Sequence, residues 1–264
     1  MKALSASAIL FALLIAAPAR AASSDWFEME GARVRLVTAG KPDALGRLRG
    51  ALDIELKPGW KTYWRDPGDA GVPPTIDASA NPNIDTVAFD FPAPQRHDES
   101  DFKWAGYDYP VALPVTFKFK DPAGSATIDA NVFLGVCETI CVPVQAKLAV
   151  DPGADDPEDV AAVSAAFADI PPPARPDFGL KVASKPGDAK ALLEVTSPGD
   201  AGTAELFLAG EDGYVLSTPD REIRDGTTFF VVEVTRPDEA PTGPGLHYTL
   251  VTEHGAVSGF LPYL

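Results

Sequence analysis

Two cysteines, Cys137 and Cys141, are the residues of this chain best suited to chemistry. They lie in Val136-Cys137-Glu138-Thr139-Ile140-Cys141-Val142-Pro143, with strand-like residues on both sides. On a helix this spacing would stack both thiols on one face. The flanking runs argue instead for a hairpin with Glu138, Thr139 and Ile140 at its tip. Cys137 and Cys141 then face each other at the strand ends. Paired antiparallel positions lie ~4.5–5.5 Å apart, which overlaps the Cα separation a disulfide accepts. Such a bridge sits near the surface, and Pro143, which cannot donate a ladder hydrogen bond, fits a strand end or edge. Thiol–disulfide exchange needs that access, because it passes through a mixed disulfide. A bridge closing so short a loop constrains the unfolded chain weakly, and this shifts the weight towards redox chemistry. Two other readings stay open. The bridge could only brace the hairpin, or the two thiolates with His97 could hold a soft ion such as Cu(I). Zinc would want four ligands at other spacings. Hydrolysis has little to work with: His97, His247 and His254 are the only histidines, and none sits in a nucleophile motif such as G-x-S-x-G.

The elements that must position the pair read as strands. The chain has 264 residues, enough for two domains with cores of their own. Its 26 prolines and 22 glycines fall between short strand-like runs, the punctuation of a sandwich. The runs in the first half are 33–38, 47–56, 85–91, 111–118, 127–136 and 142–150. In Ala51-Leu52-Asp53-Ile54-Glu55-Leu56 every second side chain is apolar, so one face is buried and the other wetted. Asp155-Asp156-Pro157-Glu158-Asp159 supplies the cap, early proline and acid of a helix start. The alanine-rich Val160–Ala168 continues it, and Pro171-Pro172-Pro173 ends it as a stiff linker. Strands resume at 190–196, 204–209, 227–234, 246–253 and 256–261, with turns at Glu211-Asp212-Gly213 and Arg224-Asp225-Gly226. The expected class is all-β: two tandem sandwich domains, 22–152 and 176–264, joined by a short helix and Pro-rich linker over 153–175.

The start of the chain reads as an export signal. Lys2 precedes the apolar run Ala8–Ala17, and Ala19-Arg20-Ala21 is a small-x-small cleavage pattern, so residues 1–21 are expected to be removed. That run is shorter than the ~20 apolar residues a spanning helix needs, and no later segment is apolar enough. The formal charge is −16, or −18 once Lys2 and Arg20 leave with the signal (−16 − 2). Nucleic-acid binding needs basic patches that this chain lacks. Oxidation of Cys137 and Cys141 is permitted in an exported chain.

Three stretches resemble the N-terminal periplasmic domain of the thiol:disulfide interchange protein DsbD and its ScsB-like relatives. The first is Pro58-Gly59-Trp60-Lys61-Thr62-Tyr63-Trp64-Arg65-Asp66-Pro67-Gly68-Asp69-Ala70-Gly71-Val72-Pro73-Pro74, the most specific and closest to the ScsB-like branch. The second is His97-Asp98-Glu99-Ser100-Asp101-Phe102, followed by Tyr107 and Leu113-Pro114-Val115, and the third is the cysteine segment itself. Together they span roughly residues 30–150. The resemblance implies an immunoglobulin-like sandwich whose cysteine pair, here Cys137 and Cys141, takes electrons from a thioredoxin-like domain and passes them to periplasmic substrates. It makes His97–Phe102 a cap loop, with Phe102 the aromatic lid and Asp101 or Glu99 a nearby acid that disfavours the thiolate. Trp60, Tyr63 and Trp64 become site-lining residues, with core packing as the competing reading for each. The main branch spaces its cysteines farther apart, and the family's membrane carrier and terminal thioredoxin-like domain are expected to be absent here. The expectation is therefore a stand-alone periplasmic thiol–disulfide oxidoreductase without cofactor or metal. Its partner would be a thioredoxin-fold protein or a separate membrane electron carrier. The competing class is a non-catalytic binding or assembly module, copper-related in one version, with a structural hairpin bridge.

Overall fold

The structure, a computed structural model, describes residues 22–68, 71–99, 102–153, 156–184, 189–211 and 213–264. The expected signal (1–21) and Asp101 lie outside these residues, as do Asp155 and Asp212; Glu99 and Phe102 are described in backbone only.

The first half contains β1 (Phe27–Glu28), β2 (Ala32–Thr38), β3 (Arg47–Leu56), β4 (Thr62–Gly68), β5 (Thr75–Asp77) and β6 (Ile84–Phe89). It continues through β7 (Gln95–Glu99), β8 (Phe102–Tyr107), β9 (Val111–Phe119), β10 (Ile128–Cys137) and β11 (Cys141–Val150). A sheet ordered β1-β2-β3-β9-β6 faces a sheet ordered β11-β10-β5. The inward side chains are those that alternation selects: Val34, Leu36, Leu52, Ile54, Leu113 and Val115 on one layer, Ile128, Val132, Leu134, Val144 and Leu148 on the other. A third sheet, β4-β8-β7, closes one end of this core. Within it Gly106 of β8 lies so close to β4 that an added Cβ would come within 2.2 Å of the Thr62 carbonyl oxygen.

The second half opens with α1 (Pro157–Ala168), as the cap pattern implies. Asp156 is the N-cap, its carboxylate accepts from Glu158 N at 2.8 Å, and Pro157 starts the first turn. Val163 and Ala166 of α1 pack on Val37 and Ala51, so the helix covers the outer face of β2 and β3. Then follow β12 (Gly179–Val182), β13 (Lys190–Thr196), β14 (Glu205–Leu208), β15 (Val215–Leu216), β16 (Asp220–Arg224), β17 (Thr227–Thr235), β18 (Leu246–Thr252) and β19 (Gly255–Leu261). They form the sheets β12-β13-β17-β15, with β16 also on β17, and β14-β18-β19. Their own core includes Phe178, Leu193, Leu206, Phe230, Val232, Leu250 and Val257. The proline run is stitched to the edge of β19: Ser258 N donates to Pro172 O at 3.0 Å, Ala174 N to Ser258 O at 2.7 Å, and Ser258 Oγ to Pro171 O at 3.1 Å.

The halves share a seam. Phe207 and Ala209 from the second half belong to the core of the first. The Trp64 ring lies 6.0 Å from Phe207, 6.5 Å from Phe91 and 6.1 Å from His247. Arg65 pairs with Glu211 at 3.2 Å, and Asp66 accepts from Gly210 N at 2.9 Å. A partly exposed ion pair contributes ~0–1 kcal/mol, whereas truncating a buried Phe or Trp costs about 3–5 kcal/mol, so the aromatic cluster dominates the seam.

Two outcomes follow from this packing. Gly106→Ala must push β8 off β4, and denaturant unfolding is expected to show a loss of about 1–3 kcal/mol. Burial, helped by the Arg65 cation, lowers His247 from 6.5 to about 3. The folded chain therefore keeps His247 neutral while the unfolded chain takes a proton below about pH 6.5. Stability should be unaffected by this group above pH 6.5 and fall progressively as pH drops towards 3. Melting curves of the His247→Phe protein should lose that part of the acid limb; an unchanged pH profile would count against the assignment.

Candidate functional site

Backbone pairing determines how the two cysteines differ. Cys137 ends β10 and Cys141 begins β11, and the two are register partners. On its other side Cys137 exchanges hydrogen bonds with Lys61: Lys61 N donates to Cys137 O at 2.8 Å and Cys137 N to Lys61 O at 2.9 Å. Thr62 Oγ1 adds a bond to Gly135 O at 3.0 Å. Cys137 thus lies between two chain segments and is 1% exposed, while Cys141 is exposed. The two are joined as a disulfide with a Cα separation of 4.1 Å. Between them Glu138, Thr139 and Ile140 face solvent, Ile140 at 77% exposure.

The pairing with Lys61 also sets the faces of β4, which begins at the next residue. Tyr63 turns inward and its hydroxyl donates to Cys137 Sγ at 2.9 Å; the same oxygen lies 3.3 Å from Cys141 Sγ. Its ring needs room that only glycine leaves. A Cβ on Gly71, whose φ is +134°, would come within 2.5 Å of the Tyr63 ring. Trp104 of β8 meets Tyr63 edge-on at 5.8 Å, and His97 of β7 stacks on Trp104 at 3.8 Å with planes 6° apart. Lys61 Nζ sits 4.7 Å from the Trp104 ring centre, where a cation is attracted by the ring face. Disulfide, Tyr63, Trp104 and His97 form one contiguous series.

Not every residue named from the sequence joins it. Trp64 follows Tyr63 in the strand and so points to the opposite face, into the seam. Trp60 packs on the main core beside Gly31. Asp98 pairs in register with Lys103, and both line the cleft behind the β7–β8 hairpin. The predicted cap loop is mostly strand: β7 runs to Glu99 and β8 starts at Phe102. Asp101 and the side chains of Glu99 and Phe102 lie outside the described residues. Trp104 and Lys61 were not singled out from the sequence. Lys61 stands inside the Trp60–Tyr63 stretch, where its position beside a buried pair of aromatics was the available signal. Among the described residues, no three His, Cys, Asp or Glu side chains gather as a metal site.

Chemically, the site offers an exposed sulfur bonded to a buried one, with a hydroxyl donor already on the buried one. Attack at Cys141 Sγ would release Cys137 as a thiolate. A hydrogen bond to an ionised sulfur is stronger than one to a neutral sulfur, so Tyr63 would hold the leaving group.

Residues 37–152 match the family model described as thiol:disulfide interchange protein DsbD, N-terminal. The first half of the chain shares the immunoglobulin-like sandwich fold of that domain. Among solved structures, the N-terminal periplasmic domain of ScsB from Proteus mirabilis is similar at a TM-score of 0.71 and 22% identity, covering 90% of this chain and 96% of that one. That likeness establishes the fold across both halves. A conserved domain protein from Bacillus anthracis aligns at 11% identity over 86% of this chain and 75% of its own, with a TM-score of only 0.25. No curated protein sequence matches the chain.

Replacing Tyr63 by Phe keeps the ring and removes the donor. A hydrogen bond to a charged group contributes about 1.5–3 kcal/mol, so the rate at which dithiothreitol opens the disulfide should fall by about tenfold or more. A wild-type rate would show that the hydroxyl does not assist the departing sulfur.

Proposed function

We propose that this chain is a periplasmic thiol–disulfide interchange protein that relays two electrons through Cys137–Cys141 to or from a thioredoxin-like partner. The carrying observation is the asymmetry of the pair: Cys141 is exposed, and Cys137 is buried under Tyr63. In the reducing direction the partner's thiolate attacks Cys141 Sγ, the Cys137–Cys141 bond breaks, and Cys137 leaves as a thiolate. The partner's second thiol then resolves the mixed disulfide, so the partner ends oxidised and this chain holds two thiols. The reverse sequence oxidises the chain and reduces its substrate. Cys141 is the exchanging sulfur in both directions.

Residues 22–152 act as the exchange domain and 176–264 as a second sandwich. Export by a cleaved signal places the protein where disulfides persist. Among the described residues no helix is long and apolar enough to cross a membrane. The Asp101, Glu99 and Phe102 roles implied by the family resemblance belong to this reading.

The test uses single cysteine variants and a thioredoxin-fold protein with one active-site thiol activated as a mixed disulfide. Cys137→Ser leaves Cys141 accessible and should accumulate the covalent complex, while Cys141→Ser should form little of it. A complex formed equally by both would reject the assignment. The reduction potential separates a shuttle from a brace: a value of roughly −120 to −270 mV fits exchange, and one below about −300 mV marks a structural bridge.

A further inference from the structure

The aromatic series over the disulfide rests on a hairpin with little behind it. β7 is an edge strand whose only sheet neighbour among the described residues is β8. Register places His97 opposite Trp104 on the face towards Tyr63, and puts Arg96 opposite Ala105 and Asp98 opposite Lys103 on the other face. That other face looks into a cleft of about 840 Å³ between the halves, bounded across from it by Tyr214, Leu216 and Thr218. At one point the cleft is bridged. Arg96 Nη2 donates to the backbone oxygen of Leu206 at 2.7 Å, and the guanidinium lies 4.6 Å from the centre of the Phe207 ring. Leu206 and Phe207 belong to β14, in the second half.

We infer that Arg96 is a positioning residue through which the second half holds the β7–β8 hairpin against Tyr63 and the disulfide. The acceptor is a main-chain oxygen on a strand paired to β18, so the anchor is rigid. A planar guanidinium can donate to it while lying on Phe207, which an ammonium cannot do. Releasing Arg96 removes this tie between the second half and the strand that carries His97. Tyr63 is then less firmly seated on Cys137 Sγ. The second half thus contributes to the redox site without touching a sulfur. This inference rests on the exchange reading above for its purpose, but its test does not need a partner.

The full mature chain is oxidised and then reduced with dithiothreitol at a temperature well below the melting of every variant. Each turnover moves two electrons and two protons: the reagent's two thiols become a disulfide as the Cys137–Cys141 bond opens to two thiols. Arg96→Ala should be reduced more slowly by about tenfold, equivalent to ~1.4 kcal/mol of lost support for the departing Cys137 sulfur. Glu211→Ala breaks the Arg65 pair on the same seam without touching β7, and should stay within about twofold of wild type. If Arg96→Ala does not fold, Arg96→Met takes its place with the same expectation, because it keeps the apolar stem and loses the donor. A wild-type or faster rate in the folded Arg96 variant overturns the inference, and so does an equal slowing in Glu211→Ala. If the wild-type protein fails to exchange with any thioredoxin-fold protein while Arg96→Ala is still reduced more slowly, the exchange reading falls and the positioning role stands.

Discussion

The structure depends on the exchange of two backbone hydrogen bonds between Lys61 and Cys137. This pair joins the end of β10 to the start of β4 and so attaches the third sheet to the sandwich. It places Cys137 between two chain segments while Cys141 keeps an open side. It also starts the alternation of β4, so that Tyr63 meets the sulfurs and Trp64 meets the second half. Moving that contact by one residue would exchange the two faces. Tyr63 would enter the seam and the disulfide would lose its hydroxyl.

β4 therefore serves two interiors at once. Its inward face meets the disulfide through Tyr63, and its outward face supplies Trp64, Arg65 and Asp66 to the seam. The hairpin β7–β8 repeats this arrangement, with His97 and Trp104 on one side and Arg96 on the other. Both halves of the molecule consequently bear on the same small set of side chains. His247 and Phe207 are far from the cysteines in sequence, yet they stand one residue's width from the strand that carries Tyr63.

Much of this was legible beforehand where one face of a strand is wet. The alternation of Leu52, Ile54 and Leu56 marks β3, and Asp156 and Pro157 mark the helix start. The hairpin around Cys137 and Cys141 was legible from the runs on either side of it. β4, β7 and β8 carry no such strand signal. Tyr63 and Trp64 are both buried, so no two-residue period appears, and Pro67 and Gly68 imitate a turn. In β7 the residues Arg96, His97 and Asp98 are polar on both faces because their partners are an indole, a carbonyl and a cleft. The seam was hidden for a different reason. Periodicity identifies which side chains are buried, but Phe207 and Leu206 carry the same signal although they enter different cores.

The proline run beside β19 has a consequence of another kind. An unprotected edge strand offers a row of donors and acceptors to any neighbouring chain. Here Pro171, Pro172 and Ala174 occupy part of that edge through Ser258. Pro171–Pro173 have no amide hydrogens and the Ala174 amide is already engaged by Ser258 O, so these residues offer no free donor for the ladder that another strand would need. The sheet is closed at this margin by a strip that cannot itself be extended. That margin is one fewer place where copies of the chain can stick together.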